Sequence, residues 1–167
     1  MQRFVYKDNT MAHEISESWI DYFMCVAEVI AKKSKDPNRQ VGCIAVDQDS
    51  KRILTTGYNG FPSKVEETEE RWQRPVKYDF VVHAEANVIA SAARFGINLQ
   101  GCSLFVLAHP CIDCTKLIAS SGIKFVYYLD DGIADTPTQE WHDHLKNARA
   151  ILSETGIQLI PIIETNP

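Results

Sequence analysis

From residue 83 onward the chain alternates helix and strand, and a glycine closes each predicted helix. Residues 83–95 read as a helix ending at Gly96, residues 111–121 as one ending at Gly122, and residues 138–155 as one ending at Gly156. Glycine enters the left-handed conformation that stops a helix without steric cost. Short β-rich runs fall at residues 103–108, 124–128 and 158–163. A strand–helix–strand–helix–strand order forces parallel pairing through right-handed crossovers.

The first half adds a different unit. Residues 16–33 place Trp19, Tyr22, Phe23, Val26, Ala27 and Ile30 on one apolar stripe, with Ser16 or Ser18 as N-cap. The polar stretch from Ser34 to Arg39, which contains Pro37, ends that helix. Residues 41–46 and 52–56 flank the turn Asp47-Gln48-Asp49-Ser50 and predict an antiparallel hairpin. Gly57 to Pro62 breaks the second run. A loop with Glu66, Glu67, Glu69 and Glu70 then continues to about residue 80. Its length implies a functional role or partial helicity. Residues 1–15 read as a flexible arm. The expectation is one α/β domain over residues 1–167, a three-layer α/β/α arrangement. Its sheet is mixed and five-stranded, with an antiparallel N-terminal hairpin and parallel later strands.

A chain of 167 residues buries about two-thirds of the surface its unfolded form exposes. It needs no metal to fold, so a metal site would serve chemistry. The net charge of −5 opposes a polynucleotide partner and favours a small metabolite. No apolar run approaches the roughly 20 residues that cross a bilayer, and the N-terminal stretch lacks an apolar leader core. The expected setting is the cytoplasm, without membrane association, where the five cysteines stay reduced. Cysteines at short spacing there read as metal ligands or redox groups.

Two motifs carry chemistry. His83-Ala84-Glu85 opens one helix and Pro110-Cys111-Ile112-Asp113-Cys114 opens the next. One histidine and two thiolates leave the fourth position of a tetrahedral zinc for water, the catalytic pattern. Cys111 and Cys114 share a helical face in a first turn, where the helix dipole favours thiolate. His83 is expected in a first turn as well. Zinc lowers the pKa of bound water from 15.7 to about 7. Glu85, two residues from His83, is placed to move protons as general acid and base. The paired motifs are a signature of zinc-dependent nucleobase deaminases. A structural zinc knuckle is the alternative.

The sequence resembles the cytidine deaminase-like superfamily, and within it the deoxycytidylate (dCMP) deaminases. The resemblance runs from about residue 18 to 129. It rests on Trp19 to Met24, Ser34-Lys35-Asp36-Pro37, Gln40-Val41-Gly42, Gly57 to Pro62, His83 to Asn87, and Pro110 to Cys114 with Gly122-Ile123-Lys124. It implies Zn2+ held by His83, Cys111 and Cys114, with Glu85 as proton shuttle. It implies that Asn59 contacts the substrate, and that Ser34, Lys35, Asn38 and Arg39 lie near a 5′-phosphate. The implied reaction is dCMP to dUMP with release of ammonia, in a homo-oligomer, hexamer or dimer. The segment between Gly57 and Val82 has no Cys or His, so a second zinc there is not expected.

Other readings stay open at this level. The substrate could be dCTP, a modified dCMP, cytidine or guanine, or a base in tRNA or DNA. A zinc-binding module without turnover belongs to another class. Asn59 before a glycine also suits a turn, and Lys32, Lys33, Lys35 and Arg39 also suit a solvated helix end. Cys25, Cys43 and Cys102 read as small core residues. His142 and His144 read as solvated or packing residues, and His13 as part of the arm. His109, just before Pro110, is either a substrate contact or a packing residue.

Overall fold

The computed structural model describes residues 3–8, 15–132 and 139–165. Its elements run β1 Arg3–Tyr6, α1 Glu17–Ala31, β2 Gly42–Val46, β3 Ile53–Tyr58, α2 Lys77–Phe80, α3 Ala84–Phe95, β4 Ser103–Val106, α4 Ile112–Ser120, β5 Phe125–Leu129, α5 Gln139–Glu154 and β6 Gln158–Thr165. The glutamate-rich loop is partly helical, with a 3-10 turn at Glu70–Trp72 ahead of α2. His13 and the expected first residue of α5, Thr138, lie outside the described residues.

One sheet orders these strands β1-β6-β5-β4-β2-β3. β4, β5 and β6 pair in parallel, and β2–β3 is the antiparallel hairpin. The fold class follows the expectation, but the sheet has six strands rather than five. The extra one, β1, comes from the expected arm and pairs antiparallel with β6. Its alternate residues Phe4 and Tyr6 are buried, the Phe4 N–H donates to Asp21 Oδ1 at 2.9 Å, and the Tyr6 hydroxyl donates to the Ile15 carbonyl at 2.6 Å. Four residues of alternation are too few to distinguish a strand from coil without the partner edge.

Helices cover both faces. α1 packs on one, joining Phe4, Ile44, Phe105 and Tyr127 in one core layer. α3, α4 and α5 pack on the other, where Val88, Ile118 and Leu152 meet Leu104 and Val126. The buried face of α1 is Ile20, Phe23, Met24, Ala27 and Ala31. Trp19 and Tyr22, expected on that stripe, are 39% and 50% exposed. The helix is apolar around much of its circumference, so periodicity alone fixes its buried face only to within one residue step. Cys43 and Cys102 are core residues as expected, and Cys25 is half-buried.

Two glycines set the separation of helix and sheet. A Cβ on Gly42 would stand 2.0 Å from the Ala27 carbonyl oxygen and 2.8 Å from the Ala31 nitrogen. A Cβ on Gly57 would stand 2.6 Å from the Ala84 oxygen and 2.8 Å from the Val88 nitrogen. The obstacles are backbone, so neither helix can yield by a rotamer change. Gly57 thus lets the first turn of α3 lie against β3. Gly42→Ala and Gly57→Ala should each cost about 1–3 kcal/mol or more in denaturant unfolding. Gly60→Ala, where the nearest foreign atom is a Tyr58 ring carbon at 3.5 Å, should cost less.

Candidate metal centre and active site

Two helix starts converge beyond the β2–β4 pair. His83 is the N-cap of α3, with φ −69° and ψ 158°. It is delivered there by the Gly60–Val82 bridge, in which each residue's N–H donates to the other's carbonyl at 3.0 and 2.9 Å. Cys111 is the N-cap of α4 and its Sγ accepts the Cys114 N–H at 3.5 Å. His83 and Cys111 therefore stand one position outside the first turns expected for them, in extended backbone, and of the two only Cys111 makes a side-chain cap bond. Cys114 lies inside the first turn of α4.

The three side chains meet. Cys111 Sγ lies 3.3 Å and Cys114 Sγ 3.5 Å from His83 Nδ1. All three ligand atoms fall within 4.8 Å of one another, and no other such cluster occurs among the described residues. Hydrogen bonding from Cys114, together with that from His83, draws the Cys111 thiol down to about 4 against its burial. Hydrogen bonding to Cys111 pushes His83 up to about 9. The same contact with Cys111, reinforced by burial, pushes the Cys114 thiol up. Protons are thus crowded between two sulfurs and one nitrogen. A cation at their centre satisfies all three, and two soft sulfurs with an imidazole suit zinc.

Glu85 is buried in the first turn of α3. Burial raises its carboxyl above the usual range, against the pull of a backbone N–H and His83. It lines a cavity of about 210 Å³ together with His83, Cys111 and His109. The His109 Nδ1 lies 2.9 Å from the Pro110 carbonyl and so carries the hydrogen, while its ring edge meets Tyr128 at 4.8 Å between centroids. Its Nε2 is buried without a partner among the described residues.

The far wall of the cavity carries Asp36, Arg39, Asn59 and Lys77. Asn59, buried, accepts the Val41 N–H at 2.8 Å and donates to the Arg39 carbonyl at 2.9 Å and to Asp36 at 3.2 Å. Ser34 Oγ donates to the Asn59 carbonyl at 2.7 Å and lies behind the wall. Asn38 accepts from Lys77 at 3.1 Å. Lys35 points outward to Glu67 at 3.2 Å. Of the five residues expected near the substrate, Asn59 and Arg39 line the cavity, Ser34 and Asn38 brace its wall, and Lys35 stands apart from it.

Sequence reasoning missed Lys77. Its ammonium is buried and donates to both Asp36 oxygens at 2.9 and 2.8 Å. This clamps α2 to the turn that follows α1, and Asp36 in turn accepts the Asn38 and Arg39 N–H groups at 2.9 and 3.4 Å. A lysine in a polar loop reads as solvated, and its partner is 41 residues away. Trp72, in the 3-10 turn before α2, stacks on Phe61 at 4.3 Å between ring centroids. His142 and His144 are exposed on α5.

The profile of the family described as "Cytidine and deoxycytidylate deaminase zinc-binding region" matches residues 17–130. The chain belongs to this family. Human deoxycytidylate deaminase is 37% identical over 145 residues, covering 83% of this chain and 76% of the human one. A probable deoxycytidylate deaminase of Drosophila melanogaster is 42% identical over 131 residues, covering 72% of this chain and 63% of the fly protein. Among solved structures, the dCMP deaminase of cyanophage S-TIM5 in apo form superposes with a TM-score of 0.66 at 29% identity, over 88% of this chain and 99% of that one. The same phage enzyme in complex with dCMP and dUMP gives a TM-score of 0.62. Zinc is the cofactor of the family, and the His83, Cys111 and Cys114 cluster fits it. This deaminase is thus a zinc-dependent hydrolase, of the deoxycytidylate deaminase type.

The Asp36–Lys77 pair has a defined pH signature. Burial raises the Asp36 carboxyl, but Lys77 and the two backbone N–H groups outweigh it, and the net shift is downward from 3.8. A lowered folded pKa contributes stability above the unfolded value, and that stability is lost as pH falls through the folded one. Asp36→Asn should cost about 3–5 kcal/mol at pH 7, because it strands a buried ammonium. In urea unfolding across pH, the gap between wild type and variant should narrow once pH drops below 3.8. A gap that stays constant to pH 3 would contradict the pair.

Proposed function

We propose that this deaminase converts dCMP and water to dUMP and ammonia. The observation that carries the reading is Glu85: a buried carboxyl with a raised pKa, two residues from His83 and facing the same cavity as the His/Cys/Cys cluster. The human, murine and cyanophage relatives support the choice of substrate.

In this reading His83, Cys111 and Cys114 hold the zinc. The ion supplies Lewis acidity that makes water nucleophilic at neutral pH. Glu85 takes a proton from the attacking water as the new C–O bond forms at C4 of the cytosine ring, and delivers it to the ring nitrogen N3. It then carries the second water proton to the exocyclic amine. The C–N bond breaks, ammonia leaves and the carbonyl of uracil remains. Burial raises the Glu85 carboxyl, in the direction that suits a group that must both accept and release a proton. Asn59 holds the wall against which the sugar lies, and Arg39 meets the 5′-phosphate. A homo-oligomer and a cytoplasmic setting complete the proposal, and the five free cysteines support the latter.

Glu85→Ala should retain one zinc per chain and lose about 10²–10⁴-fold or more in kcat for dCMP. Ammonia release and metal analysis on the same preparation check both halves. Near-normal turnover would refute the role of Glu85, whereas a loss of zinc would make it a structural residue.

A further inference from the structure

Away from the metal cluster, the cavity wall holds three carboxylates, Asp36, Asp130 and Asp131, and two cations, Arg39 and Lys77. That balance is unfavourable to an anionic ligand unless one carboxylate yields. The two cations are held very differently. Lys77 is locked: its side chain is 7% exposed, and its three donors go to Asp36 Oδ1, Asp36 Oδ2 and Asn38 Oδ1. Releasing it would strand the buried Asp36 carboxylate. Arg39 is 36% exposed and its partner Asp131 is 28% exposed. One terminal nitrogen of Arg39 donates to the Leu107 carbonyl at 3.1 Å and to Asp131 Oδ2 at 2.5 Å.

We propose that Asp131 sets the affinity of this cavity for the substrate's phosphate by competing with it for Arg39. The inference rests on the nucleotide reading above. A partly exposed ion pair is held weakly, because water screens it. A guanidinium pairs with phosphate through two parallel N–H···O bonds and greater charge, so phosphate outcompetes a single carboxylate. The Leu107 carbonyl keeps the guanidinium at the cavity wall while its acidic partner is exchanged. Asp130 is already engaged by Lys7 at 2.6 Å, so Asp131 is the carboxylate on the reachable cation. Asp131 thereby lowers phosphate affinity and speeds release of the equally anionic product. A nucleoside gains nothing from displacing it.

The test uses the zinc-loaded full chain. KM for dCMP and inhibition by dUMP and by deoxyuridine, which lacks the phosphate, are measured for wild type, Asp131→Asn and Arg39→Gln. Asp131→Asn should lower KM for dCMP and the inhibition constant of dUMP by about 2–5-fold, the worth of one exposed ion pair. Deoxyuridine inhibition should not change. Arg39→Gln should raise both dCMP and dUMP constants by about tenfold, as loss of a charge-assisted pair does. Unchanged or weaker dCMP binding in Asp131→Asn, with Arg39→Gln responding as expected, overturns the competition and leaves the nucleotide reading intact. Indifference of dCMP and dUMP to Arg39→Gln overturns the competition and the phosphate assignment together. Absence of ammonia release from dCMP by the wild type refutes the substrate reading itself.

Discussion

Everything at the functional end of this molecule depends on keeping two sulfurs and an imidazole within hydrogen-bonding distance in a half-dry cleft. The fold achieves this with helix N-termini. Cys111 caps α4 and receives the Cys114 N–H, while His83 caps α3. Hydrogen bonds from Cys114 and His83, with the Cys114 backbone N–H, draw the Cys111 thiol down against its burial. The helices must then sit close enough to the sheet for the caps to meet. Gly57 permits that for α3, because any side chain there would strike the Ala84 and Val88 backbone. A glycine in a strand and a cysteine at a helix start thus serve one geometric requirement.

The opposite wall shows how differently two charged pairs behave in one cavity. Lys77 and Asp36 are buried together, fully hydrogen-bonded, and join α2, the 34–41 segment and Asn59 into one unit. Removing either charge leaves the other unsolvated, so the pair is structural in effect. Arg39 and Asp131 lie where water reaches both, and their attachment is exchangeable. Burial, more than the identity of the residues, separates the locked pair from the solvent-exposed one.

The metal cluster was legible in the sequence because its spacing is local: a histidine and a glutamate two apart, two cysteines three apart, each pair at a predicted helix start. The parallel half of the sheet was legible because glycine marks the end of each helix, and Gly96, Gly122 and Gly156 do adopt left-handed backbone. What stayed hidden depends on contacts distant in sequence. β1 exists because the edge of β6 is available to it, and Lys77 is buried because Asp36, distant in sequence, meets it on the same cavity wall. Lys35 was grouped with its neighbours by position along the chain, but the turn after Ser34 sends it to the outer surface. Asn59 lines the cavity wall, and its side chain holds the 39–41 segment by accepting the Val41 N–H and donating to the Arg39 carbonyl.

With His83, Cys111 and Cys114 as its protein ligands, a catalytic zinc keeps its fourth position open. Zinc K-edge X-ray absorption of the metal-loaded protein tests it directly. The expected result is two sulfur neighbours at about 2.3 Å, one nitrogen at about 2.0 Å and one further light atom, exchangeable with solvent or ligand. A closed shell of four protein ligands, unchanged on adding nucleotide, would make the site structural and remove the basis for placing the chemistry there.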